Sequence, residues 1–146
     1  MVGHIIIADD EQSIRSILKD SLENLCNSNN IEIHSISNPT GAYVLVKTLI
    51  NTKLLLITDF DFKQSVSGLD LIQLTVKTYK RNKPYIVLLT ANSDTNNKSL
   101  SSAKILADLT LFKPFKVRHI RDIVSSYFKC SIQKSKKTLP NYGRMR

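Results

Sequence analysis

The chain lacks any apolar run approaching the roughly 20 residues needed to span a bilayer. Its opening, MVGHIIIADDEQ, has no basic lead and turns acidic after a few apolar residues, so it does not read as a secretion signal. Cysteine is scarce. Cys26 and Cys130 stand far apart with no CxxC and no Cys/His spacing, which argues against both a disulfide framework and a cysteine-based zinc site. A reducing cytoplasm fits this usage best. Internal repeats and low-complexity blocks are absent. Acids are missing from one place in particular: residues 129–146 carry Lys129, Lys134, Lys136, Lys137, Arg144 and Arg146 with none to balance them. The rest of the chain is nearly balanced, with 15 Lys+Arg against 12 Asp+Glu over residues 1–128. The net charge of +9 therefore belongs mostly to the end of the chain. That segment reads as a disordered basic tail, able to touch nucleic acid or an acidic partner.

What is present is enough for one domain. At 146 residues and 42% hydrophobic, the chain supports a single core of ordinary size over residues 1–128. Strand-length apolar runs fall at 2–8, 31–36, 53–58, 85–89 and 108–112. Between them, helical periodicity is readable over 10–25, 40–50, 69–80, 99–107 and 117–128. Strands alternating with helices predict an α/β fold, a five-stranded parallel sheet with helices on both faces.

In such sheets ligands bind beyond the carboxyl ends of the strands, and the reactive side chains gather there. The first strand ends at Asp9 and Asp10, and the third, LLLITDFDF, at Asp59 and Asp61. The fourth ends at Thr90, and the fifth at Lys113 followed by Pro114. Carboxylates converging on one rim repel one another unless a cation sits among them, and hard oxygen donors suit Mg²⁺. A carboxylate can serve as nucleophile toward phosphorus, with the lysine and the hydroxyl holding phosphoryl oxygens. Glu11 reads as a first-turn helix acid. Phe112 and Phe115 read as core. His4, His34 and His119, on unrelated elements, read as structural or solvated. Lys77, Lys80, Arg81 and Lys83 read as cations around a helix end.

Four motifs, IIIADDE (5–11), LLLITDFDF…SGLDL (54–71), IVLLTAN (86–92) and LFKPF (111–115), stand in the order and at nearly the separations of one family. The chain resembles the receiver domain of two-component response regulators over about residues 2–128. The resemblance implies a flavodoxin-like sheet of order 2-1-3-4-5 and Asp59 as phosphoacceptor. It implies Mg²⁺ on Asp9, Asp10, Asp59 and the backbone carbonyl of Asp61, with Asp10 the more direct ligand of the acid pair. Thr90 corresponds to the switch hydroxyl, and Lys113 to the lysine that reads the phosphoryl group, set by a cis bond before Pro114. A histidine kinase or phosphotransfer protein would supply the phosphoryl group and a downstream target would read it. No catalytic turnover beyond self-phosphorylation from small donors and slow hydrolysis is expected. With 18 residues after 128, too few for a second domain, the chain reads as a stand-alone receiver like the chemotaxis regulators.

The sequence departs from the family pattern in three places. Phe62-Lys63 replaces the usual Met/Leu-Pro pair, and Gly68 lies nine residues after Asp59 where eight is usual. Thr110 stands where an aromatic residue normally couples phosphorylation to output, and Leu106 stands where a Gly usually precedes ADL. Two other classes remain open on residues alone. One is a haloacid-dehalogenase-like phosphatase using Asp59 and Asp61, although its DxD usually lies on the first strand with the lysine and acid pair following. The other is an adaptor with a silent site and a nucleic-acid-binding tail.

Overall fold

Five apolar runs pair in parallel as one sheet of order β2-β1-β3-β4-β5 in the computed structural model, which describes residues 2–92, 94 and 96–131. The strands are β1 (Gly3–Ala8), β2 (Ile31–Ile36), β3 (Lys53–Asp59), β4 (Tyr85–Thr90) and β5 (Leu109–Phe112). The helices are α1 (Gln12–Ser28), α2 (Pro39–Thr48), α3 (Gly68–Thr78), α4 (Lys98–Leu106) and α5 (Val117–Phe128). Both the five-by-five alternation and the strand order expected from the sequence are present.

Burial explains why these runs became strands. β1, β3 and β4 are covered on both faces, and their successive side chains feed two separate cores. Ile5 and Ile7 pack with Leu18, Leu22, Ile120 and Val124 under α1 and α5. Ile6 and Ala8 pack with Ala42, Val46, Leu71, Ile72, Leu100 and Ala103 under α2, α3 and α4. The edge strands β2 and β5 are only partly buried, and their sequences are correspondingly more polar.

Helix starts are written locally. Asn38 accepts from the Gly41 N–H at 2.6 Å with Pro39 in the first turn, Asn97 accepts from Leu100 N–H at 2.9 Å, and Ser67 forms a reciprocal capping box with Asp70. Glu11 occupies the cap position of α1 without a capping bond from its side chain.

The apolar periodicity over 10–25 and 40–50 runs through Ile17, Val44 and Ile50 and does not include Cys26 or Thr75, and the structure differs. Ile17 (49% exposed), Val44 and Ile50 point outward, while Cys26 and Thr75 are buried. Periodicity marks a stripe, and the width of the contact beneath it selects which members are covered. Phe112 is 45% exposed and not core, with the Lys104 ammonium 5.0 Å from its ring centre. It faces outward at the end of an edge strand that no further strand covers. Cys26 and Cys130 are free thiols. Burial, and secondarily Cys130, pushes the Cys26 thiol up to about 12, as suits a core residue.

Residues 129–131 of the expected tail are tied to the domain. Lys129 closes α5 in the left-handed conformation, and Ser131 N–H donates to Asn29 Oδ1 at 2.8 Å. The expected disorder and basic contacts of residues 132–146 lie outside the described residues. Among the described residues no helix is long and apolar enough to cross a membrane.

Candidate functional site

Strand β1 runs apolar from Ile5 to Ala8 and then delivers Asp9, fully buried, and Asp10, half-buried. Strand β3, in register beside it, delivers Asp59 at 4% exposure. One ligand oxygen from each of Asp9, Asp10 and Asp59 lies within 4.8 Å of the others. Strand β5 brings the ammonium that makes this tolerable. Lys113 Nζ is 3.0 Å from Asp9 Oδ2, 3.2 Å from Asp59 Oδ1 and 3.3 Å from Glu11 Oε1. The peptide bond from Lys113 to Pro114 is cis, and the Lys113 N–H donates to the Thr90 carbonyl at 2.8 Å, joining the ends of β4 and β5.

The charges are unequal in their surroundings. Burial pushes the Asp59 carboxyl up, and the Asp9 charge pushes it further. Lys113 and a backbone hydrogen bond from Asp61 work the other way, and the net value is about 6. Burial alone would make Lys113 give up its proton more readily. Its hydrogen bond to Asp9 and the charges of Asp59 and Asp9 outweigh that, so it holds its proton more tightly than an ordinary lysine. The site therefore holds a permanent cation against two buried acids, one of which is poised to bind either a proton or another cation.

The remaining residues frame it. Thr90 is fully buried, and its hydroxyl accepts from the Asn92 N–H at 2.9 Å. Asp61 is exposed and stands outside the carboxylate cluster, which counts against the paired-aspartate phosphatase arrangement. Phe60 and Phe62 turn into the core on either side of it. Gly68 shows where the unusual loop spacing meets the sheet. A Cβ built there would lie 2.3 Å from the Asp59 carbonyl oxygen and 2.7 Å from Phe60 Cα, so the start of α3 rests directly on the end of β3. The extra residue is absorbed between them.

Two site residues escaped the sequence reading. Glu11 is a partner of Lys113 and not merely a helix-end acid. Its position directly after the acid pair was the available signal. Arg15, one turn into α1, donates to the Asp9 carbonyl at 2.8 Å and to Ser35 Oγ at 3.1 Å, bracing β1 against β2. Nothing in its spacing marks that role.

Comparison with known proteins gives a consistent result. Residues 5–125 match the model of the response regulator receiver domain. The chain is 31% identical over 120 residues to the transcriptional regulatory protein SrrA of Staphylococcus aureus, covering 82% of this chain and 45% of that protein. It thus spans about half the length of the curated relatives it matches. Among solved structures, a response regulator receiver domain protein from Clostridium thermocellum superposes with TM-score 0.70 at 23% identity, covering 94% of this chain and 99% of that one. A CheY-like receiver domain protein from Methanospirillum hungatei JF-1 superposes at 0.67 with 19% identity, covering 87% and 94%. At these identities the structural likeness speaks for the fold alone.

Proposed function

Because the chain belongs to the response regulator receiver family, a family of signalling modules and not classical enzymes, we propose that it takes a phosphoryl group on Asp59. The observation that carries this is the Asp59 carboxylate itself: buried at the end of β3, raised to about 6, and 3.2 Å from the Lys113 ammonium. A surface charge would be solvated, and a purely structural acid would not be set against a second buried carboxylate.

The donor set fits a hard divalent cation. Asp9, Asp10 and Asp59 offer only oxygens. Asp9 is engaged through both oxygens, by Lys113 and by the Glu11 N–H at 2.9 Å, and Asp59 through one by Lys113, which leaves Asp10 the most available ligand. As the resemblance implies, the backbone carbonyl of Asp61 would supply a further oxygen. Mg²⁺ held there would neutralise negative charge on an incoming phosphoryl group.

In the reaction, an Asp59 oxygen attacks phosphorus, an O–P bond forms, and the bond from phosphorus to the donor breaks with its electron pair leaving on the donor. Lys113 shifts from the carboxylates to a phosphoryl oxygen, and Thr90 turns from Asn92 to donate to another. Small acyl phosphates serve as donors, as does a histidine kinase or phosphotransfer protein, and the acyl phosphate is lost by slow hydrolysis. With Thr110 half-buried where an aromatic ring would move, phosphorylation biases α4 and α5 by other contacts, toward docking with a downstream target in the cytoplasm. The basic residues 129–146 add a contact with nucleic acid.

Intact mass after incubation with Mg²⁺ and a small acyl phosphate tests the assignment. One hydroxylamine-labile phosphoryl adduct is expected on the native chain and none on Asp59→Asn. An adduct that survives the substitution moves the acceptor elsewhere, and no adduct on either chain overturns the proposal.

A further inference from the structure

His4 and His34 stand on different elements 30 positions apart, yet the sheet sets them side by side. In the parallel register His4 lies opposite Glu32, and His34 lies opposite Ile6. Because Ile6 points into the core beneath α2, the strand alternation puts His4, Glu32 and His34 on that same face. His4 Nδ1 is 3.0 Å from His34 Nε2 and 3.8 Å from Glu32 Oε1, and one donor atom from each of the three lies within 4.8 Å of the others. The rings are stacked, with centres 5.3 Å apart.

Two imidazole nitrogens and a carboxylate oxygen so grouped match a tetrahedral zinc ion. Bonds of about 2.0–2.1 Å at tetrahedral angles place neighbouring donors roughly 3.3 Å apart. The observed 3.0 Å and 3.8 Å bracket that spacing. We infer that His4, Glu32 and His34 form a second cation site for a zinc-class divalent transition metal, distinct in position and chemistry from the carboxylate cluster. Imidazole nitrogens favour such an ion over Mg²⁺, which prefers oxygens. The two sites are separated along β1 by five residues, about 16 Å of strand.

The site is also open to such an ion. The Glu32 side chain is 63% exposed while that of His4 is 10% exposed, so the site has an open side for entry and for a fourth ligand from water. Bridging β1 and the edge strand β2, the ion would pin that edge. Proton balance is simple. The short nitrogen–nitrogen contact requires one ring to donate and the other to accept, so when the ion replaces the shared proton, the donor ring carries its proton on its other nitrogen. No net proton is released.

The test is zinc chloride titration of the ¹⁵N-labelled 146-residue chain, with millimolar Mg²⁺ present to hold the carboxylate cluster. Ring nitrogen resonances of His4 and His34 are expected to shift together, saturate at one equivalent and show one tautomer change, while those of His119 stay in place. Glu32→Gln, at an exposed side chain, is expected to weaken binding at least tenfold, and His34→Asn on the order of 100-fold. Asp59→Asn should leave it unchanged. Urea unfolding without metal checks that each variant folds. Rings unmoved up to millimolar zinc, or binding that survives Glu32→Gln and His34→Asn, would overturn the inference and leave an ordinary imidazole hydrogen bond.

Discussion

A carboxylate at the end of a buried strand costs the fold something, and the cost can be read from its proton. Asp59 holds its proton up to about pH 6, against an ordinary value of 3.8. Below 3.8 the group is neutral in both folded and unfolded chains, and stability is undiminished. Between 3.8 and 6 the unfolded chain has released the proton and the folded chain has not, so stability falls as pH rises. Above 6 the loss is complete, at about 3 kcal/mol from the conversion of 1.36 kcal/mol per pKa unit. Asp59→Asn removes this term while keeping the side chain's shape. Without divalent cations it is expected to match the native chain near pH 4 and to exceed it by about 3 kcal/mol above pH 7. Urea unfolding across that range decides it: a gap independent of pH, or of the opposite sign, would show that Asp59 is not strained by its surroundings. At this scale the sequence was legible where the pattern is short-range. Asp9, Asp10, Thr90 and Lys113 stand at strand ends where local pattern marks them, whereas the contact of Glu11 with Lys113 spans 102 positions and is hinted at only by its place after the acid pair.

At the scale of elements, the joint between β3 and α3 is the most exacting part of the fold. Gly68 N–H donates to the Phe60 carbonyl at 3.1 Å, and any Cβ at this residue meets backbone, which cannot rotate away. Gly68→Ala must therefore push the start of α3 off the end of β3. A cost of about 1–3 kcal/mol is expected from overpacking, with a matching loss of phosphoryl uptake because the displaced atoms belong to Asp59 and Phe60. Thermal unfolding and adduct mass on one preparation test both. If stability and uptake were both unchanged, the loop would be more compliant than this contact allows. The helix caps, by contrast, were legible, since Asn38-Pro39 and the Ser67…Asp70 box act within one turn. Which residues of each helix stripe are covered was not. Ile17 and Cys26, nine positions apart, lie on opposite sides of α1, and the core formed with the sheet and α5 takes the Leu18, Leu22, Cys26 side and leaves Ile17 out.

For the whole molecule, a cation held at the carboxylate cluster would couple folding to cation concentration and to pH. Asp9, Asp10 and Asp59 come from strands 50 positions apart and exist as a set only when the sheet is formed, so a cation bound there stabilises the folded state alone. Mg²⁺ at ten times its dissociation constant should add about 1.4 kcal/mol. The proton on Asp59 competes with it, so the gain is expected at pH 7.5 and should fade below 6 as that carboxyl fills. Asp10→Ala should remove most of it. Unfolding midpoints with and without Mg²⁺ at pH 7.5 and 5 check this, and an equal gain at both would place the ion away from Asp59.

The sequence by itself determined the element order, the parallel sheet and the rim on which the acids, the hydroxyl and the lysine collect. It could do so because apolar runs, helix periodicity and caps are local, and because parallel strands joined by helices carry their reactive ends to one edge. Only the tertiary structure decided how charges are shared among Asp9, Asp59, Lys113 and Glu11. It alone set the proton affinity of Asp59, the seating of α3 on β3, and the meeting of His4 with His34. These depend on distances between residues remote in the chain and on the water excluded between them. Neither quantity is written in the order of residues along one strand.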